Sequence, residues 1–239
     1  VGGAGLSGIQ AAGEIAEYRD EHDAPIDVHL VEGLEEVFPG NDDEVQQAIR
    51  TRLEDADINI ECGEFISQVD DDTVYLGGGE EEEPDEMPYD VLVWTGGITG
   101  QEELENTDLD KDERSRRVFA AQDFRTSDER VFAIGDTALI DQGGDNVAPP
   151  TAVAAWTAAD VAGENLVNAV LGEPLSTWTF EDKGTLLSVG DRAVAHNIDA
   201  VPFGTFGGTG AKFLKKAAAV RWIASISSFG RGMHAWVDM

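Results

Sequence analysis

The sequence predicts an α/β fold, and three observations carry that prediction. The opening segment VGGAGLSG passes from an apolar residue into a helix through Gly3, Gly5 and Gly8. Two later apolar stretches, YDVLVWTGG and RVFAIGDTALI, each run into a glycine turn. Around them, segments with helical spacing alternate with short β-branched segments. Strands alternating with helices in this way define α/β architecture.

The elements follow in order. Residues 6 to about 20 place Ile9, Ala12, Gly13 and Ala16 on one helical face. IDVHLVE alternates and reads as a strand ending at Glu32. NDDEVQQAIRTRLEDAD begins with Asn41 as N-cap and acids in its first turn, and Val45, Ala48, Ile49, Leu53 and Ala56 form its apolar stripe. INIECG, EFISQVD and DTVYLG read as short strands, and GGGEEEEPDEM as a solvated loop. YDVLVWTGG reads as a buried strand. After an acidic connector, RVFAIGDTALI reads as an apolar strand ending in a Gly-Asp turn. APPTAVAAWTAADVAGENLVNAVLG reads as a helix entered through Pro149 and Pro150. WTFEDKGTLLSVGDRAVAHNI reads as three short strands, the last two joined at Gly190-Asp191. AKFLKKAAAVRWIASI reads as an amphipathic helix with Phe213, Leu214, Ala217, Val220 and Ile223 apolar.

Composition limits the function. The chain has 239 residues, and 41% hydrophobic content is enough for a packed core. A net charge of -32 argues against a nucleic-acid partner, because the summed field repels phosphate. The same charge suits a halophilic protein: at 1 M salt the Debye length is about 3 Å, so self-repulsion is screened. A highly acidic protein of low-salt surroundings is the alternative. The basic residues are unevenly spread. From residue 200 onward Lys212, Lys215, Lys216, Arg221 and Arg231 face Asp238 alone, a local balance of +5 - 1 = +4.

The single cysteine, Cys62, excludes an intrachain disulfide and reads as a packing residue. His22, His29, His196 and His234 lack metal-ligand spacing, so no metal is expected. No run of 18 apolar residues is present to span a membrane as a helix. Val1 alone precedes the glycines and there is no initiator Met, so the chain is expected to be a fragment.

Gly3-Ala4-Gly5-Leu6-Ser7-Gly8 fits G-x-G-x-x-G. In that motif the first glycine permits a tight turn, the second lets backbone approach a pyrophosphate, and the third lets the helix pack on its strand. The phosphates then meet free N–H groups at the helix N-terminus. Glu32 lies 24 residues past Gly8 at a strand end. A carboxylate there accepts bonds from a ribose 2′-hydroxyl and repels a 2′-phosphate, which favours NAD(H) over NADP(H). Thr95, Gly96 and Gly97 suggest the far side of the same site. Gly135 permits close approach of a ligand, and Asp136 can bond a hydroxyl. APPTA then supplies a second helix N-terminus.

The order VGGAGLSG, Glu32, VLVWTGG, VFAIGD, PPTAVAA resembles the flavoproteins with two dinucleotide-binding domains, and most of all the type II NADH dehydrogenases. The resemblance runs from Val1 to about residue 200. It implies a Rossmann-like NAD-binding domain inserted in a partial FAD-binding domain, with an amphipathic helical tail. The expected segments are 1–113 for NAD(H), 114–199 for the C-terminal half of the FAD domain, and 200–239 for a basic tail. The resemblance implies that Gly3, Gly5, Leu6, Ser7, Gly8, Gln10, Glu32, Thr95, Gly96 and Gly97 serve NADH. It likewise implies that Gly135, Asp136, Pro150, Thr151 and Ala152 serve FAD. No protein group is then needed as catalyst, because hydride transfer belongs to the cofactors.

The chain departs from the family in three ways. Gln10 stands where a glutamate is common. Val153 and Thr157, with Trp156 between them, stand where glutamines are common. No second glycine motif occurs. The acceptor is expected to be a quinone or another oxidant, with peripheral membrane contact through residues 206–230 at the cytoplasmic face, or a cytoplasmic location. A homodimer fits this reading. The alternatives are a soluble NADH oxidase or ferredoxin-reductase relative, and, for this chain alone, a non-catalytic nucleotide-binding module.

Overall fold

The structure, a computed structural model, describes residues 1–78, 83–198 and 204–238. The chain divides into two compact units, Val1–Gly96 with Lys183–Met239, and Gly97–Asp182. These limits differ from the functional segments 1–113, 114–199 and 200–239 expected from the sequence, each of which also includes residues outside the described ones.

In the first unit, helix α1 (Leu6–His22) leads to strand β1 (Val28–Glu32), helix α2 (Asp43–Asp55) and strand β2 (Ile58–Cys62). β1 and β2 are parallel, with Val28 opposite Ile58 and Glu32 opposite Cys62. Gly2 continues the sheet through parallel bridges to Val31 and Trp94. The parallel order is therefore β2, β1, the Val1–Gly3 stretch, then the Trp94 stretch. An antiparallel sheet follows from β3 (Ile66–Val69), β4 (Thr73–Leu76) and β5 (Asp85–Pro88).

The second unit holds β6 (Val118–Ala120) and β7 (Ala138–Ile140), which are parallel, and α3 (Ala152–Leu171). Ala154, Ala158 and Ala162 repeat every fourth residue and are buried, so a stripe of small side chains seats α3 in a core with Val118, Phe124, Ile140 and Trp178. Gly172 ends α3 at φ 72°, a left-handed C-terminal cap.

The first unit resumes with β8 (Thr185–Val189), β9 (Arg192–His196) and β10 (Thr205–Gly207), an antiparallel sheet ordered β10-β9-β8. One face of this sheet joins the main core: Leu187, Val189 and Val194 pack with Ile9 of α1, Leu30 of β1 and Ile49 and Leu53 of α2. Each such buried aliphatic side chain contributes about 1.5–3 kcal/mol. The other face, through Ala193 and Ala195, meets Ala211 at the start of α4 (Thr209–Ile226). Helix α5 (Phe229–Asp238) folds back on α4, where the Phe213 and Trp236 rings meet edge to face at 5.2 Å.

Several expectations are corrected. Asp42, not Asn41, is the N-cap of α2; the Asn41 amide instead donates to the Phe38 and Pro39 carbonyls. Residues 79–82 of GGGEEEEPDEM lie outside the described residues, but Asp85–Pro88 is a strand, not a loop. Its polar sequence hid it, because β5 is an edge strand with mostly exposed side chains. YDVLVWTGG is not a buried strand. It contributes one bridge, and Val91 and Trp94 are exposed, because the facing Val1–Gly3 stretch pairs with it only around Gly2. In RVFAIGDTALI the regular strand follows the Gly-Asp turn, at Ala138–Ile140. The turn itself is a 3-10 segment, Gly135–Thr137. WTFEDK forms no strand; Trp178 is a core residue instead. The third strand of that sheet is β10. Within the apolar face read for α4, Phe213 is exposed and Val220 is buried.

Candidate functional site

The opening turn is built by three neighbouring segments. The Gly2 N–H donates to the Val93 carbonyl at 2.9 Å, and the Gly3 N–H donates to the Val31 carbonyl at 2.7 Å. Gly3 then turns at φ 98°, a value L side chains rarely adopt. The Thr95 hydroxyl sits 2.9 Å from the Gly2 carbonyl and 3.0 Å from the Gly3 carbonyl, closing the turn from the far side.

Each motif glycine meets a different environment. A methyl at Gly8 would overlap the Gly3 carbonyl oxygen, so this position holds helix and strand in direct backbone contact. A methyl at Gly5 would meet nothing within 4 Å. Gly5 is also the N-cap of α1, and no side chain caps that end. The first N–H groups of a helix lack intrahelical partners, so this end offers donors and a positive dipole to an anion. Ser7 is exposed on the same turn.

Glu32 points into this turn. Its Oε2 accepts from the Ala4 N–H at 2.7 Å, and its Oε1 accepts from the Leu34 N–H at 3.1 Å. A carboxylate has about four acceptor positions, so two remain for an added hydroxyl pair. Gly3, Gly5, Leu6, Ser7, Gly8, Glu32, Thr95 and Gly96 thus gather at the C-terminal edge of the parallel strands, where α/β sheets bind ligands. Their chemistry fits a dinucleotide: an open approach at Gly5, a helix start with no side-chain cap, and a carboxylate at the sheet edge.

Gln10 is engaged elsewhere. Its side-chain oxygen accepts from the Lys215 ammonium at 3.0 Å and from the Ser188 hydroxyl at 3.4 Å, and Lys215 and Ser188 also bond to each other. Burial holds the Lys215 ammonium below its ordinary pKa, with Glu14 pulling the other way. This cluster ties α1, β8 and α4 together. Sequence reading counts Lys215 among the basic residues of the tail and misses its contact with Gln10, which lies 205 residues away in sequence.

The remaining candidates, Gly97, Gly135, Asp136, Pro150, Thr151 and Ala152, belong to the second unit. Gly135 turns at φ 69°, and a methyl there would meet only the Ala155 side chain, in the first turn of α3, at 3.9 Å. Thr151 caps α3 by accepting from the Ala154 N–H at 3.2 Å. Pro150 and Ala152 are exposed. Thr137 Oγ1 is buried without a hydrogen-bond partner among the described residues. An open helix start, an exposed Asp136 and an orphaned hydroxyl fit a polar ligand here.

Arg117 is a second residue the sequence did not reveal. It is 8% exposed, and its guanidinium donates to the Asp136 carbonyl at 2.7 Å and to the Ala138 carbonyl at 2.6 Å. Burial draws its pKa down, opposed by Asp136 and Asp112. Arg117→Leu would remove both hydrogen bonds. The expected outcome is a loss of about 1–3 kcal/mol in unfolding free energy, read by urea titration. Unchanged stability would show that the turn does not depend on Arg117.

Elsewhere, Cys62 packs against Arg50, whose guanidinium lies 3.7 Å from its sulfur, and burial raises the thiol pKa. Among the described residues no group of His, Cys, Asp and Glu is arranged to hold a metal ion, and no helix is long and apolar enough to cross a membrane.

The parallel sheet and its glycine turn define an α/β protein with a Rossmann-like fold. Residues 1–159 match the family described as pyridine nucleotide-disulphide oxidoreductase, and the chain belongs to that family. It is 25% identical over 240 residues to a type II NADH:quinone oxidoreductase of Staphylococcus saprophyticus, covering 96% of this chain and 58% of that protein. A protein of the same name from Haemophilus influenzae is 23% identical over 197 residues, covering 78% and 43%. The chain thus spans about half the length of these relatives. Among solved structures, NDH2 from Plasmodium falciparum in complex with NADH aligns with TM-score 0.74 and 14% identity, over 99% of this chain and 64% of that one. Sulfide:quinone oxidoreductase from Aquifex aeolicus aligns with TM-score 0.69 and 14% identity, over 95% and 58%. These likenesses establish the shared fold.

Proposed function

We propose that this chain carries the NADH-binding part of an FAD-dependent NADH dehydrogenase of the type II NADH:quinone oxidoreductase kind. The observation that supports it best is the glycine turn with Glu32 folded onto it. The pyrophosphate of NADH lies against the α1 N-terminus beside Gly5, and Glu32 receives the adenosine ribose hydroxyls. Thr95 holds the turn in shape through the Gly2 and Gly3 carbonyls. Gly97, where a methyl would meet nothing within 4 Å, leaves room on the nicotinamide side, and Gly96 and Gln10 serve the same site. Gly135, Asp136, Pro150, Thr151 and Ala152 serve FAD, Asp136 as an acceptor and the α3 N-terminus as a favourable dipole for negative charge. FAD, when bound, accepts the hydride and passes electrons to a quinone or other acceptor; that chemistry is the cofactor's. The division into 1–113, 114–199 and 200–239 belongs to the same proposal.

Membrane contact at the cytoplasmic face is the second part of the proposal. It is supported by exposed Phe213, Trp222, Ile226, Phe229 and Met233 on α4 and α5, in the most basic part of the chain. An apolar face beside lysines and arginines suits an interfacial helix.

The experiment is anaerobic addition of NADH to the FAD-loaded, full-length protein. Bleaching of the flavin absorbance by NADH, and far less by NADPH, is the expected result. A flavin that stays oxidised with NADH would rule the activity out. Sedimentation with anionic vesicles, lost when residues 206–230 are replaced by a polar linker, tests the membrane contact.

A further inference from the structure

The chain places an exposed aromatic ring beside Glu32, and no part of the core accounts for it. Phe65 follows β2 by three residues and is 63% exposed. Its neighbour Ile66 points inward, packing with Val31 and Val74, so Phe65 points out from the sheet edge. Its backbone is fixed by the Gly77 N–H, which donates to the Phe65 carbonyl at 2.8 Å. Its ring lies directly on Gly33, where any side chain would overlap it. The Gly63 N–H donates to the carbonyls of Glu32 and Leu34, each at 3.0 Å, so the loops after β1 and β2 are locked to each other. A rigid ring is therefore held at the C-terminal edge of the sheet, one residue beyond the carboxylate.

We propose that the Phe65 ring is the platform on which the adenine base of the dinucleotide stacks. This rests on the nucleotide reading of the glycine turn. With the pyrophosphate at the α1 N-terminus and the ribose hydroxyls on Glu32, the base would continue past Glu32 towards residues 33–35 and 63–65, which adjoin it. Leu34, also exposed, borders the same ground. Apolar and aromatic surface there suits a flat base, which gains by stacking on such a ring. The half-exposed ring is then a binding surface completed by its ligand. Gly33 is the residue that lets the ring lie close enough to Glu32 to serve.

The test compares ligands with and without adenine on the FAD-loaded, full-length protein. Phe65→Ala should weaken ADP-ribose binding, measured by calorimetry, and raise the KM for NADH, each roughly 5- to 20-fold. The KM for reduced nicotinamide mononucleotide, which lacks the adenosine half, should not change. Phe65→Tyr should restore both adenine-dependent values, and Phe65→Leu, which still covers Gly33, should not. Equal ADP-ribose affinity in wild type and Phe65→Ala would overturn the platform and leave the nucleotide site standing. Equal losses for NADH and the mononucleotide would overturn it too, by locating the effect in the shape of the turn. Wild-type protein that fails to bind ADP-ribose at all would defeat the nucleotide reading itself.

Discussion

Glu32→Ala is expected to weaken NADH binding roughly 10- to 100-fold while leaving NADPH binding unchanged or tighter. Two effects combine. Ribose hydroxyls lose a charged acceptor, and a hydrogen bond to a charged group contributes about 1.5–3 kcal/mol, which is about one to two factors of ten in affinity. The repulsion of a 2′-phosphate disappears with the carboxylate. The opposite response of the two nucleotides separates this cause from general damage. Damage does need separating, because Glu32 also accepts from the Ala4 and Leu34 N–H groups. Glu32→Gln keeps a carbonyl acceptor and loses only the charge. It should fall between wild type and alanine for NADH. Affinities for NADH and NADPH would be measured by calorimetry, and parallel losses for both would exclude Glu32 as the discriminating group.

Gly8→Ala and Gly5→Ala, one helical turn apart, should fail in different ways. At Gly8 the added methyl meets the Gly3 carbonyl and lies 2.7 Å from Thr95 Oγ1. Neither backbone can withdraw without separating α1 from its strand. Overpacking of this kind costs on the order of 3 kcal/mol. Alanine's better helix propensity returns about 1 kcal/mol. The net expectation is a protein about 2 kcal/mol less stable in urea unfolding, with nucleotide binding lost. At Gly5 the methyl meets nothing within 4 Å, and φ is -76°, so no strain arises. Gly5→Ala should keep wild-type stability and still lose binding, because the methyl occupies the approach of the pyrophosphate. Full affinity for NADH in Gly5→Ala would mean that the phosphates bind elsewhere.

The legible parts of the fold were those set by local pattern. α1, β1, α2 and α3 followed from apolar spacing and from their flanking glycines, prolines and acids. The glycine turn and Glu32 were legible because the motif needs fixed residue types at fixed offsets. Elements set by partners were not. β5 reads as polar because Met87 alone of its side chains packs inward, and the rest of its contribution is backbone pairing with β4. The strand near Gly135 was placed on the wrong side of the turn, because VFAI and TALI are equally apolar. What decides is pairing with Val118–Ala120, which lies outside the window. Lys215 and Arg117 read as surface charges in an acidic chain. The fold turns one toward Gln10 and Ser188 and the other under the Asp136 turn, by contacts 205 and 19 residues apart in sequence.

The Thr95 hydroxyl, shared between two consecutive carbonyls, has an energetic consequence of its own. The turn proposed to receive the phosphates is cross-linked to the neighbouring stretch before any ligand arrives. A flexible loop would forfeit part of its binding energy in becoming ordered, about 1–2 kcal/mol for each residue fixed. Here that loss is already met during folding, so contacts made by the nucleotide go more fully into affinity. Preorganisation of the turn thus rests in part on one side chain that need not touch the nucleotide.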